Sequence, residues 1–193
     1  MKTTVYQTDK RELLDRIFPY LVTCGLENIT IRELCRGTGV VQGSLYYWFG
    51  DKTSIICEST EYGLKKVTEE IFEYVFKSLD NLRGFFTHCL EEISRYSEEL
   101  RFIYQMAASP VYGAKIRAKI KDLNYIYDRY ARELAEMLKC EESMLRPLVY
   151  LFISAVLDYV IWDEREKSQM QLEFIYSVLS EIMKKERNKA VHI

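Results

Sequence analysis

Between Gln42 and Gly50 the chain sets a carboxamide, a hydroxyl and three consecutive aromatic rings, Gln42, Ser44, Tyr46, Tyr47 and Trp48, with no charged side chain among them. Groups of these kinds can read the edges of bases. A carboxamide pairs with the N6 and N7 of adenine, a hydroxyl bonds to either kind of edge, and a ring packs against the methyl of thymine. Attraction to phosphate then has to come from neighbouring cations, Arg32, Arg36 and Lys52, with Lys2, Lys10 and Arg11 as additions. Other chemistries lack their residues. No nucleophile stands with a base, no carboxylates are paired for acid–base work, and no glycine-rich phosphate loop occurs. His88 and Cys89 are adjacent and point to different sides of a helix, and His192 is near the C-terminus, so neither a metal set nor a cofactor is expected. Five cysteines without a Cys-x-x-Cys pair argue against a disulfide or zinc framework.

Reading base edges requires a short helix presented at its start, held by a second helix across a tight turn. The run from Ile31 to Phe49 supplies both. Thr30 caps a helix from Ile31 to about Thr38, with Glu33 completing a capping box, and Gly39 breaks it. A second short helix runs from about Gln42 to Phe49. Leu34, Cys35, Val40, Leu45 and Phe49 are the small or apolar positions that hold the two together, which leaves Arg32, Gln42, Ser44, Tyr46, Tyr47 and Trp48 partly outward. Before this pair, Leu13, Leu14, Ile17, Phe18, Leu21 and Val22 mark a helix of about residues 8–24, with Pro19 on its polar side and Gly25 at its end. After it, Asp51 caps a long helix reaching toward Lys77. Asp80 is read as the cap of a segment through about Ser97, Glu98–Ala108 as another helix, and Pro110 as the opening of a stretch ending near Cys140. Helices over about 145–165, and from a Ser168 cap to about Asn188, complete an all-α chain of about nine helices.

Over residues 11–56 the sequence resembles the TetR/AcrR family of transcriptional regulators. The resemblance rests on Gly25, Ile29-Thr30, Cys35, Gly39-Val40, Gly43-Ser44-Leu45-Tyr46, Phe49 and Lys52 at matching spacing. It implies a three-helix helix-turn-helix DNA-binding domain over 1–57 and a helical ligand-binding and dimerisation domain over 58–193. It further implies that Thr30, Tyr46 and Lys52 contact phosphates, and that Arg32, Gln42, Gly43, Ser44, Tyr47 and Trp48 lie at or near bases. A homodimer through the last two helices, a palindromic operator in double-stranded DNA and release by a small-molecule effector are implied in the same way. Three positions depart from the family pattern. Val41 replaces a serine or threonine cap, Trp48 stands where a smaller residue is common, and Gly37 interrupts the supporting helix.

The remaining two thirds are rich in aromatic residues, which suit an apolar pocket as well as they suit an ordinary core. Phe86, His88, Phe102, Met106, Tyr127, Tyr130 and Asp158 are the candidate effector contacts. His88 can bind a ligand or be satisfied by a neighbour. Asp158 can pair across a dimer, contact a ligand, or sit partly solvated at a helix edge. The stretch Pro147–Trp162 is apolar nearly all round, which suits a dimer seam. Its most apolar part, 148–162, falls short of the ~20 residues of a membrane span. A polar N-terminus without a signal stretch points to a cytoplasmic protein. The net charge of −2 gives no global pull toward nucleic acid, so affinity for DNA has to come from a local surface.

Overall fold

Apolar residues recurring every three to four positions make this chain helical, and the computed structural model describes residues 9–25, 29–122 and 124–191. Among the described residues there is no strand. Helix α1 (Lys10–Cys24) buries Leu13, Ile17, Phe18 and Leu21 along one stripe and stops at Gly25. Then come α2 (Ile31–Thr38), α3 (Gln42–Phe49) and α4 (Lys52–Lys77), as the sequence leads one to expect. A 3-10 turn over Leu79–Asn81 precedes α5 (Leu82–Ile93), and another over Ser94–Tyr96 leads into α6 (Ser97–Ala108). Helices α7 (Gly113–Asp122), α8 (Asn124–Leu138), α9 (Glu142–Trp162) and α10 (Arg165–Val191) complete the order.

Two termini and one division between helices differ from the sequence reading. Asn81, not Asp80, caps α5, because its side-chain oxygen is the one that accepts from the Gly84 N–H at 3.0 Å. The stretch after Pro110 is two helices, α7 and α8. Helix α10 begins at Arg165, so Ser168 lies inside it, buried with its hydroxyl unpartnered. Lys2 and His192 lie outside the described residues.

The chain packs as two compact units. One joins residues up to Lys66 with Phe102–Ile120, and the other joins Val67–Arg101 with Lys121–Ile193, so the packing units are not coextensive with the stretches 1–57 and 58–193. In the first unit α2 packs on α1 and on α3. Phe18 meets Phe102 edge to face with centroids 6.2 Å apart. Asp15 on α1 accepts from the Tyr62 hydroxyl and from Lys66 (3.1 Å) on α4, Lys10 pairs with Glu58 at 2.6 Å, and Glu61 holds Lys65 on its own helix and Lys119 on α7. In the second unit α9 packs between α8 and α10, and α5 packs on both α9 and α10. Phe72 stacks flat on Tyr130 with centroids 4.0 Å apart, and Phe85 meets Phe152 at 5.8 Å. Gln169 donates to the Phe86 carbonyl (3.1 Å) and Arg101 to that of Val160 (2.6 Å).

Helix α9 is longer than its apolar centre suggests. By length and composition alone it could cross a membrane, since it runs for 21 residues from Glu142 to Trp162. One face of it, including Leu148, Phe152, Ala155 and Val160, is nonetheless buried in protein.

Candidate nucleic-acid interface

The α2–turn–α3 segment is built from its caps inward. The Thr30 hydroxyl accepts from the Glu33 N–H at 3.1 Å, and the Glu33 carboxylate accepts from the Thr30 N–H (3.1 Å) and hydroxyl (2.7 Å), a complete capping box. These bonds, the hydroxyl above all, hold the Glu33 carboxyl below the usual glutamate range. Helix α2 ends at Gly39, which takes up the left-handed conformation (φ 70°) and donates to the Cys35 carbonyl at 3.0 Å. A side chain there would be strained, so the glycine sets the turn. Gly37 has a different reason. A Cβ there would overlap the Tyr20 ring of α1, so its poor helix propensity is offset by close packing of α1 on α2. Leu34 and Leu45 are wholly buried, and Val40 and Phe49 nearly so, which fixes α3 against its support.

Helix α3 is preceded by Val41 at the cap position, whose backbone has the extended cap conformation but whose side chain offers no acceptor. The first turn closes through backbone alone, Ser44 and Leu45 both donating to the Val41 carbonyl. Burial of Leu45 and Phe49 turns the other residues outward. Gln42, Gly43, Tyr46, Tyr47 and Trp48 are exposed, Tyr47 to 81%, and Ser44 is half-buried. Tyr47 and Trp48 stand edge to face, centroids 5.3 Å apart, so two of the three rings brace each other in water. Nothing would meet a Cβ at Gly43, so backbone can be approached closely there.

Cations border this surface. Thr30, Arg32 and Arg36 are exposed and Lys52 is half-buried. Asp51 caps α4 by accepting from the Ser54 N–H at 2.7 Å, and that bond lowers its pKa. Lys10 is engaged elsewhere, paired with Glu58 and lying over the Phe49 ring, while Arg11 is exposed. Lys115 on α7 is the cation that sequence reasoning missed. Its charge acts on Asp51, yet more than sixty residues separate them and no local pattern could link the two.

The effector candidates are distributed differently. An apolar cavity of about 50 Å³ lies within the second unit, walled by side chains of α4, α5, α8, α9 and α10 and of the turn before α5. Of the candidates, Phe86 lines it. Phe102 and Met106 are buried in the first unit, and Tyr130 lies flat against Phe72 instead of facing the cavity. Tyr127 is half-buried beside Tyr150 and hydrogen-bonded to Thr68, and burial raises its pKa. His88 is exposed on α5. Asp158 has partners of its own, Lys167 and Gln171, each at 3.1 Å, and the Lys167 bond leads in lowering its pKa. Burial pushes the Cys89 thiol up to about 12, which leaves it inert at neutral pH. Among the described residues no group of three or more His, Cys, Asp or Glu side chains could hold a metal ion.

A capped supporting helix, a glycine turn and a short helix showing uncharged polar and aromatic groups form the arrangement that comparison with known proteins bears on. The chain is similar to a helix-turn-helix repressor. It is 27% identical over 155 residues to the HTH-type transcriptional repressor KstR2 of Mycobacterium tuberculosis, in strains CDC 1551 / Oshkosh and ATCC 25618 / H37Rv, covering 74% of this chain and 74% of the relative. No protein-family model matches the sequence, and no solved structure matches it at a significant level.

Proposed function

We propose that this protein is a non-enzymatic, DNA-binding transcriptional repressor that reads a palindromic operator with α3. The observation that carries the reading is the outward face of α3, Gln42, Gly43, Ser44, Tyr46, Tyr47 and Trp48, presented by a capped helix and bordered by Arg32, Arg36 and Lys52. Similarity to a named repressor over three-quarters of the chain supports it. Thr30, Tyr46 and Lys52 are assigned to phosphates, and Arg32, Gln42, Gly43, Ser44, Tyr47 and Trp48 to bases or their vicinity. Because α3 itself carries no arginine or lysine for guanine, its own selection leans on adenine through Gln42 and on thymine methyls through the rings, with Arg32 on α2 as the cation assigned near bases.

The working form is proposed to be a cytoplasmic homodimer through α9 and α10, placing two reading heads about 34–36 Å apart on successive major grooves. Leu151, Met170 and Phe174 are exposed on these helices, Phe174 to 60%, around a hollow of about 250 Å³. Gln171, whose amide donates to Asp158 at 3.1 Å, lines the same hollow. An effector in the second unit is proposed to release DNA through α4, which is continuous from Lys52 to Lys77 and supplies Phe72 and Val75 to the cavity wall. Such release requires unequal affinity of the effector for the two states.

A second reading, a regulator controlled by a protein partner, draws on the size of the cavity. About 50 Å³ is well below the ~300–1,000 Å³ of a site that engulfs a drug-sized ligand. Selection of bound duplexes from a random DNA pool tests the main proposal. An enriched palindrome rich in A·T pairs is expected, and recovery of no shared sequence would overturn it.

A further inference from the structure

We propose that the apolar cavity of the second unit and the groove beside it form one site for an anionic amphiphile, an alkyl chain ending in a carboxylate. This rests on the effector reading above and names the chemistry of the ligand.

The cavity decides the tail. Its walls, among them Phe72, Phe85, Leu134, Val149, Phe152 and Ile175, carry no nitrogen, oxygen or sulfur in any side chain. None of the buried side-chain atoms without a hydrogen-bond partner, on Ser59, Glu99, Ser168 and Gln171, belongs to it. A polar group placed there would give up its water and gain nothing in return, whereas apolar cavities of this kind stay dry and accept hydrocarbon. About 50 Å³ holds roughly three to five water-sized groups, enough for the last few carbons of a chain and too little for a whole ligand.

The remainder of the ligand has somewhere to go. Leu79 and Leu82 belong to the cavity wall and equally to the wall of an open groove of about 880 Å³ between the start of α5 and the later part of α10. That groove mixes apolar side chains such as Val178 and Ile182 with charged ones. It carries Arg83, Lys184 and Lys185 against Asp80 and Glu181, and Glu181 is already paired with Lys184 at 3.5 Å. Three cations against two carboxylates favour a negative head over a neutral or positive one. The two leucines thus mark the point where a chain passes from carbon to charge.

The test is calorimetric titration of the full-length protein, free of DNA, with octanoate, octanol and acetate. Octanoate is expected to bind, octanol to bind roughly three- to tenfold more weakly, and acetate to show no heat. The double substitution Arg83→Gln, Lys185→Gln changes only exposed side chains and should bring octanoate down to the octanol value while leaving octanol unchanged. Val149→Phe should abolish both, with a thermal melt confirming that the variant folds. No binding of octanoate, or octanoate binding that survives Val149→Phe in a folded protein, overturns the site. Octanol binding as tightly as octanoate overturns the anionic head. Octanoate that binds as described but leaves operator affinity unchanged upholds the site and removes the effector role.

Discussion

At the scale of single residues, the two caps of the helix-turn-helix differ in a way that solution measurements can read. Thr30 and Glu33 form a reciprocal box, whereas Val41 offers α3 no side-chain acceptor. Thr30→Ala should cost about 1 kcal/mol in urea denaturation at neutral pH. Val41→Ser, in a backbone already extended for capping, should return roughly 0.5–1 kcal/mol, and a loss on that substitution would refute the reading of Val41 as a missing cap. The pH dependence has a defined sign. Because the Glu33 carboxyl is held below its ordinary value of 4.5, its contribution is full above that value and fades as pH falls through the lowered one. The gap between the parent protein and Thr30→Ala should therefore narrow on acidification below pH 4.5 and stay level above it.

At the scale of elements, α3 is set by burial and not by amphipathic patterning. Leu45 and Phe49 turn inward, Gln42, Gly43, Tyr46, Tyr47 and Trp48 are exposed and Ser44 is half-buried, in a helix without charge. Base contact and phosphate contact are then separable. Tyr47→Ala and Gln42→Ala should each lose roughly 1–3 kcal/mol of operator binding with altered sequence preference. Lys52→Ala should weaken all duplexes alike and flatten the salt dependence. Replacing operator thymines by deoxyuridine, which removes only the methyl, should weaken the parent protein and leave Tyr47→Ala little affected. Equal losses in both proteins would show that Tyr47 does not read the methyl. This pattern was legible in the sequence because a helix-turn-helix is local, with supports, turn and readers all within thirty residues.

At the scale of the whole molecule, the exposed apolar face of α9 and α10 argues for a second copy. Phe174→Glu places charge on that face at a side chain that is 60% exposed. Sedimentation should shift from dimer to monomer with an unchanged helical spectrum, and operator affinity should fall with it. A monomeric parent protein would end the seam proposal. The effector region shows why local pattern fails at this scale. Tyr130 and Phe86 are both aromatic residues on helices, yet one stacks on Phe72 and the other lines the cavity. That difference comes from how five helices and a turn converge, and no spacing along any one of them encodes it.

The sequence by itself determined the helical class, the capping box, the Gly39 turn and the identity of the residues on α3, because each depends on bonds or sterics within a few residues. Tertiary structure decided what depends on distant chain meeting distant chain. It engaged Lys10 with Glu58, set the charge of Lys115 on Asp51, gave Asp158 its partners, and placed Leu79 and Leu82 in the walls of both a carbon-lined cavity and a groove bearing charged side chains. Periodicity fixes which face of a helix is buried. What that face meets is fixed only by packing.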